Sequence, residues 1–390
     1  MKTFRVGIVG AGYAGKFHYE SFQHVRGIPV EVVGVTSKTA AKREAFAKER
    51  GIRAFESIEA MLGEVDVVDI CSPPYVHEEN IVVSAKAGKH VICEKPLTGY
   101  FGPPGAGESW KGNRSPKAPM IREVKKSLAR IAKAVKKSGV VFGYAENFVY
   151  APAVQKEREI IEKTKAQILR SVGEESHKGS GSPVYGIWRF AGGGSLMGKG
   201  CHPLTALLYL KRVEGAASGA GPIRPKAVTC RVHELTRIPR YRDAGFIRTD
   251  YHDIEDYGLM HVVFQDGTVA DVTTGETTLG GVYDYLEIFA NNHRSRCRIN
   301  PANLLDVYNP KDEQMKDIYL VEKISSAEGW TPAAPDENWI LGYHHELQDF
   351  MECIAGGREP VCGLDLAVDT TLVIYAAYLS DERKGAEVRV

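Results

Sequence analysis

The tightest constraint on this chain lies within its first fifteen residues. A short apolar run, Phe4–Val9, leads directly into Gly10-Ala11-Gly12-Tyr13-Ala14-Gly15, and a helical pattern follows. This is G-x-G-x-x-G between a strand and a helix, the setting in which the spacing has physical meaning. Gly10 allows a tight turn. Gly12 lets the backbone approach a pyrophosphate with no Cβ in the way, and Gly15 lets the helix pack closely on the strand. The free N–H groups at the helix start, from Gly12 through Tyr13 and Ala14 to Gly15, can then hold anionic phosphates. The expectation is a dinucleotide site built on a doubly wound α/β sheet.

The rest of the first 150 residues keeps that rhythm. Strands are predicted over Phe4–Val9, Val30–Thr36, Val65–Cys71, His90–Cys93 and Val140–Tyr144. Helices are predicted over Gly15–Val25, Thr39–Glu49, Ser57–Leu62, His77–Ala87 and Met120–Lys137. The strands are apolar throughout rather than alternating, which implies a parallel sheet covered on both faces. Ligands of such a sheet bind at the carboxyl ends of its strands. One segment breaks the pattern: residues 99–119 are rich in Gly and Pro and are read as a long loop, either covering the cofactor cleft, reaching a neighbouring subunit or lying disordered on the surface.

After Phe148 the pattern changes. A helix over Pro152–Thr164 precedes strands at Val228–Glu234, Leu259–Phe264, Val269–Thr274, Tyr285–Ala290 and Arg296–Ile299, with Gln265-Asp266-Gly267-Thr268 as a hairpin turn. Closely spaced strands suggest an open, mainly antiparallel sheet, and self-association is one way to cover its exposed face. Helices near His344–Ala355 and Leu366–Ser380 are expected to fold back on the first unit. The division is therefore residues 1–148, a dinucleotide-binding domain, and 149–390, a substrate-binding and oligomerisation domain.

With 390 residues, the chain is too long for one ordinary core. Lys plus Arg is 50 and Asp plus Glu is 49, so nothing in the charge argues for nucleic acid or an anionic membrane surface. The seven cysteines form no C-x-x-C pair, which fits reduced thiols. No apolar run approaches the ~20 residues that span a bilayer. A cytoplasmic protein is expected.

The residues that bear chemistry cluster at predicted strand ends. The second strand ends in Thr36-Ser37-Lys38, with no acidic residue to hold ribose hydroxyls. Ser37 and Lys38, with Arg43 nearby, can accept a 2′-phosphate, which tilts the cofactor from NAD toward NADP. The third strand ends in Cys71-Ser72-Pro73-Pro74-Tyr75-Val76-His77, placing Ser72, Pro73 and His77 beside the cofactor. The fourth ends in Cys93-Glu94-Lys95-Pro96. A lysine at this edge can move a proton or orient a hydroxyl, and its ammonium beside an oxidised nicotinamide should have a depressed pKa. Glu94 can orient it or hold the ribose.

These motifs together resemble the glucose–fructose oxidoreductase / inositol dehydrogenase (Gfo/Idh/MocA) family. They are the Gly10 turn, Ile70-Cys71-Ser72-Pro73-Pro74 through His77, and Ala87-Gly88-Lys89-His90-Val91-Ile92-Cys93-Glu94-Lys95-Pro96. Gly192–His202 resembles the family's glycine-led helix carrying a catalytic histidine. The run from Glu346 to Ser380 resembles its closing helices. The resemblance implies a Rossmann domain, a second domain with an open sheet, a homodimer or homotetramer built on that sheet, and hydride transfer at a sugar or cyclitol carbon. Lys95 and His202 carry over as catalytic residues. The chain departs from the pattern at Gly198, four residues before the histidine, where family dehydrogenases usually carry aspartate, and at Thr205.

Glu146 and Asn147 after the fifth strand, Glu175 and His177, Tyr185, Trp188 and Lys199 are the candidate substrate groups. Glu146, Glu175, His177 and His202 could converge on a polyol or even a metal, although their spacing matches no metal motif. The reading is an NAD(P)-dependent oxidoreductase acting on a hydroxyl-bearing carbon of a sugar, cyclitol or glycoside. Two rivals share the nucleotide site. One is a cofactor-retaining enzyme that cleaves glycosides through transient oxidation. The other is a non-catalytic nucleotide-sensing regulator, against which Lys95 and His202 speak.

Overall fold

A computed structural model describes residues 2–301 and 304–390. The first six strands are β1 (Phe4–Val9), β2 (Val30–Thr36), β3 (Arg53–Phe55), β4 (Val67–Ile70), β5 (His90–Glu94) and β6 (Phe142–Ala145). They form one parallel sheet in the order β3-β2-β1-β4-β5-β6. Helices α1 (Tyr13–Phe22), α2 (Ala40–Arg50), α3 (Ile58–Leu62), α4 (His77–Lys86) and α5 (Lys117–Ser138) make the crossovers. Order reverses between β1 and β4, so the switch point opens where the Gly10 turn leaves β1. β4 is wholly buried, as apolar runs in a covered parallel sheet must be. Local sequence sets the helix ends: Ser57 Oγ accepts the Ala60 N–H at the start of α3, and Gly139 takes the left-handed conformation that ends α5.

Strand β3 was absent from the sequence reading. It is three residues long, with only Phe55 fully buried, too short to register as an apolar run. The loop expected over 99–119 ends earlier, because Lys117 already begins α5.

The second half carries α6 (Pro152–Thr164), β7 (Ile168–Ser176), α7 (Trp188–Ala191), α8 (Ser195–Gly198), α9 (Cys201–Ser218), β8 (Pro225–His233), β9 (Tyr257–Phe264), β10 (Val269–Gly275), β11 (Tyr283–Ala290), β12 (Arg294–Asn300), β13 (Asp306–Asn309), β14 (Gly329–Pro332), α10 (Glu337–Ile340), α11 (Tyr343–Gly356), α12 (Leu364–Glu382) and β15 (Val388–Arg389). Seven strands form a mixed, mostly antiparallel sheet in the order β12-β11-β7-β10-β9-β8-β15. Its one parallel pair is β7 with β10. That pairing inserts the earliest strand into the middle of the sheet, between two later hairpins.

Helix α9 packs on β7, β10 and β11 and covers one face of this sheet. Helix α12 packs on β8 and α9, and also on α5 and β6 of the first sheet, while α11 packs on α1. Val373, Ile374, Tyr375, Ala377 and Tyr378 of α12 lie wholly inside. The two sheets are thereby joined by one continuous apolar core.

Candidate active site

The Gly10 turn has the backbone its sequence requires. Gly10 sits at φ +125°, where a Cβ would lie 2.4 Å from the Cys71 carbonyl oxygen, and a Cβ on Gly15 would lie 2.3 Å from the Gly10 carbonyl oxygen. Both glycines are dictated by the protein's own packing. Gly12 is not: its φ of −99° is open to any residue, and nothing lies within 4 Å of where its Cβ would be. The protein leaves that space clear, as a pyrophosphate lying over the start of α1 would need. Tyr13 and Ala14 follow in the first turn of α1.

At the end of β2, Ser37 is half-buried and Lys38 exposed, and Arg43 reaches back from α2 to donate from Nη1 to the Ser37 carbonyl at 3.1 Å. Ser72 follows β4, its hydroxyl accepting from Asn80 at 3.1 Å, and Pro73 precedes the turn into α4. His77 is placed differently from the expectation of a cofactor contact. Its ring is fully buried, with Nδ1 2.8 Å from the Pro96 carbonyl and Nε2 2.7 Å from the Ser72 carbonyl. The buried ring sits between the β4 and β5 exits, with one of its nitrogens donating to a carbonyl.

Glu94 ends β5 and Lys95 follows it. The Lys95 N–H donates to Glu94 Oε2 at 2.9 Å, and the other Glu94 oxygen lies 3.2 Å from His18 Nε2. His18 Nδ1 lies 2.9 Å from Asp69 Oδ1. Burial disfavours the charged imidazole, but Asp69 reverses this and holds the His18 pKa well above its usual value. A buried brace therefore runs from β4 through His18 of α1 to β5. His18, Asp69 and Cys71 each place one donor atom within 4.8 Å of the others. With both ring nitrogens of His18 engaged by carboxylates, the set is read as this brace rather than as a metal centre.

The Lys95 ammonium crosses to the second half of the chain. It donates to the Gly198 carbonyl at 3.1 Å and stands 5.6 Å from the Tyr185 ring centroid. Burial opposes its charge, but Tyr185, Cys201, Glu94 and Glu175 outweigh that and its pKa is raised. The depression foreseen from the sequence depended on an adjacent nicotinamide cation; the chain's own groups act in the opposite direction. A Cβ at position 198 would come within 3.3 Å of the Tyr185 ring, a tight contact that a small shift of the ring would relieve.

His202, in the first turn of α9, is the centre of the arrangement. Its Nδ1 is bonded to Glu146 Oε1, its ring stacks on Phe148 at 4.8 Å, and its Nε2 lies 3.6 Å from Glu175 Oε2. Position 198 carries no carboxylate, and the one on this histidine comes from Glu146, just after β6. Burial, then Lys95 and Lys199, hold the His202 pKa well below its usual value. Burial, then Glu346, pushes Glu146 well above the carboxylate range, against Lys95. Burial pushes Glu175 up to about 8, against Lys95 and Lys199.

The other predicted residues fall into two groups. His177 lies near the site, its Nδ1 accepting the Gly179 N–H at 3.0 Å; burial, then Lys199 and Lys323, lower its pKa. Lys199 is 3% exposed and ion-paired with Glu276. Asn147 and Trp188 are committed to packing. Asn147 donates to the Leu341 carbonyl at 2.9 Å. Trp188 is 1% exposed, donates to the Tyr100 carbonyl at 3.0 Å, and presses so closely on Gly112 that a Cβ there would lie 2.0 Å away. The 99–116 loop is thereby bound to the second half of the chain, with the Gly112 N–H on Asp253 at 2.7 Å.

Comparison with known proteins bears on the fold and on the nucleotide-binding half. Residues 4–102 match the model of an oxidoreductase family with an NAD-binding Rossmann fold, GFO_IDH_MocA. The chain is 29% identical over 226 residues to levoglucosan dehydrogenase of Pseudarthrobacter phenanthrenivorans, covering 54% of this chain and 52% of that protein. It is 35% identical over 98 residues to UDP-N-acetylglucosamine 3-dehydrogenase of Acidithiobacillus ferrooxidans, covering 25% and 30% respectively. The chain thus spans about half or less of the length of these curated relatives. Among solved structures, GenD2 from gentamicin A biosynthesis in complex with NAD superposes with a TM-score of 0.78 at 20% identity, over 100% of this chain and 97% of that one. Levoglucosan dehydrogenase in complex with NADH and levoglucosan gives 0.74 at 21%, over 100% and 99%. At these identities the superpositions establish the fold.

Proposed function

We propose that this chain, a member of the Gfo/Idh/MocA oxidoreductase family, is an NAD(P)-dependent dehydrogenase acting on a hydroxyl-bearing carbon of a sugar, cyclitol or glycoside. The observation that carries the reading is His202, held by Glu146 at one nitrogen and facing Glu175 with the other, four residues after the Gly198 carbonyl that the Lys95 ammonium reaches.

The residues fit a dinucleotide. The clear space over Gly12 and the N–H groups of Tyr13, Ala14 and Gly15 would hold the pyrophosphate, and Ser37 and Lys38 the adenosine ribose. Ser72, Pro73 and Glu94 would line the nicotinamide end. The bound nicotinamide supplies a two-electron hydride acceptor at its C4.

The chain's own part is proton handling and charge. Nε2 of His202 takes the hydroxyl proton as the substrate carbon is oxidised. Glu146 at Nδ1 fixes the ring tautomer, and its raised pKa lets it take up the second proton as the imidazole charges, so the pair ends as carboxylic acid and neutral imidazole. The Lys95 ammonium stabilises negative charge developing on the substrate oxygen. Tyr185 flanks Lys95 and shapes the pocket, and His177 offers a further polar contact.

Arg43, drawn onto the Ser37 carbonyl, supports a 2′-phosphate and hence NADP. Half-exposed Tyr285, Glu287 and Phe289 of β11, with exposed Leu259 of β9, support self-association through the open sheet face as a cytoplasmic homodimer or homotetramer. The test is turnover on a panel of glucosides, levoglucosan and inositols with NAD⁺ and NADP⁺. Formation of reduced cofactor, lost by at least ~100-fold in Lys95→Ala and His202→Ala with coenzyme Kd nearly unchanged, is expected. Turnover within a few-fold of wild type in either variant defeats the assignment.

A further inference from the structure

Asp284 is a buried acid that neither the sequence reading nor the mechanism above uses. It lies in β11 directly opposite Glu175 of β7 in the antiparallel register, which brings two side chains of one face to about 5 Å at Cβ. Both are almost fully buried, at 3% and 8% exposure. Glu175 Oε2 and Asp284 Oδ1 are each buried without a hydrogen-bond partner. Two ionised carboxylates cannot stay together in that setting; one must keep a proton. On the other side, Glu175 Oε2 stands 3.6 Å from His202 Nε2, a gap that a small shift closes to hydrogen-bond length.

We propose that Asp284 remains protonated at neutral pH and donates to Glu175, and that the Glu175 carboxylate so stabilised accepts the proton His202 takes from the substrate hydroxyl. The inference rests on the dehydrogenase reading. In balance, the substrate O–H bond breaks and a proton joins His202 Nε2. The N–H bond so formed then breaks as its proton joins Glu175 Oε2, Glu146 hands the proton it took from Nδ1 back to that nitrogen, and Glu175 returns its own proton to solvent between turnovers. The electron pair leaves the substrate with the hydride.

Charges from every packed element bear on the pair. Lys95 from β5 and Lys199 after α8 draw the Glu175 pKa down; Glu276 after β10 and Glu322 push it up. Burial, then Glu175, Glu322, Glu337 and Glu174, raise Asp284 further. Burial raises both carboxyls, and Glu175, pushed up to about 8, titrates near working pH. His202, held low, gives its proton up to Glu175 readily.

Two readouts test this. Infrared spectra of the full chain at pH 7 should show a protonated-carboxyl carbonyl band in wild type that is absent from Asp284→Asn; no difference overturns the proposal. In kinetics, oxidation by wild type should rise with pH through about 8. Asp284→Val removes the donor and should move that limb up by at least about one pH unit, whereas Asp284→Asn keeps a donor and should hold it to within about half a unit. Should Asp284→Val fail to fold, Glu175→Gln replaces it and should erase the limb. An active Asp284→Val with an unmoved limb, or a limb that survives Glu175→Gln, overturns the relay alone. A wild type with no turnover defeats the dehydrogenase reading instead, and the infrared comparison still reports on the pair.

Discussion

Gly12→Ala separates what the protein needs from what its ligand needs. The residue sits at φ −99°, ψ −159°, which alanine adopts without strain, and the new methyl would meet no protein atom within 4 Å. Stability should therefore hold or rise by about 0.4–1 kcal/mol, because alanine restricts the unfolded chain. Binding should respond differently. A Cβ there fills the space a diphosphate must occupy against the N–H groups of α1. Each charge-assisted hydrogen bond lost costs about 1.5–3 kcal/mol, which is tenfold or more in Kd for each bond. Gly15→Ala is the control. Its Cβ would lie 2.3 Å from the Gly10 carbonyl oxygen, backbone that can yield little, so a loss of about 1–3 kcal/mol is expected alongside weaker binding. Thermal unfolding and calorimetric titration with NAD(H) and NADP(H) read both effects. The reasoning is refuted if Gly12→Ala binds as wild type does, or if it is as destabilised as Gly15→Ala.

Glu146→Gln should cut turnover about 10–100-fold while coenzyme Kd stays the same, because an amide cannot take up the proton that a charged imidazole sheds at Nδ1; steady-state kinetics with fluorescence titration checks this. Trp188→Ala should cost about 3–5 kcal/mol and expose the 99–116 loop to protease, read by denaturant unfolding and limited trypsin digestion. Glu255 gives a pH signature. Burial raises its carboxyl from 4.5 to about 7 even though it accepts from the Leu196 N–H and the Tyr378 hydroxyl. A carboxyl pKa raised by folding contributes stability that is complete below pH 4.5 and lost as pH rises through 7, up to about 3 kcal/mol. Wild type should therefore lose more stability than Glu255→Gln between pH 4.5 and 7.5 in parallel melts; equal losses would count against the assignment.

The cofactor half of the molecule could be read from sequence because its signals are local. A covered parallel strand is apolar along its length, and the Gly10 turn and Glu94-Lys95 follow such strands directly. The polar centre is assembled across long separations and leaves no periodic trace. Glu146 and His202 are 56 residues apart, His18 and Glu94 are 76 apart, and Asp284 reaches Glu175 only through β-sheet register. Glu146 could be named beside His202 as a group able to converge with it, but not as the carboxylate on its Nδ1. One signal was available: Asp69 interrupts the buried run Val67-Val68-Asp69-Ile70, and a charge there demands a partner. The parallel pairing of β7 with β10 was hidden for a related reason, since strand composition does not reveal neighbours in a mixed sheet.

Helix α12 is claimed by both halves of the chain at once. A swing that widened the whole cleft would tear Tyr375 and Tyr378 out of apolar surroundings on one side or the other. Large-scale breathing is therefore disfavoured, and passage of reactants falls to small excursions of peripheral segments. The groups proposed for catalysis come from opposite banks, Glu146 and Lys95 on one and His202 and Glu175 on the other, and a frame so joined keeps their spacing.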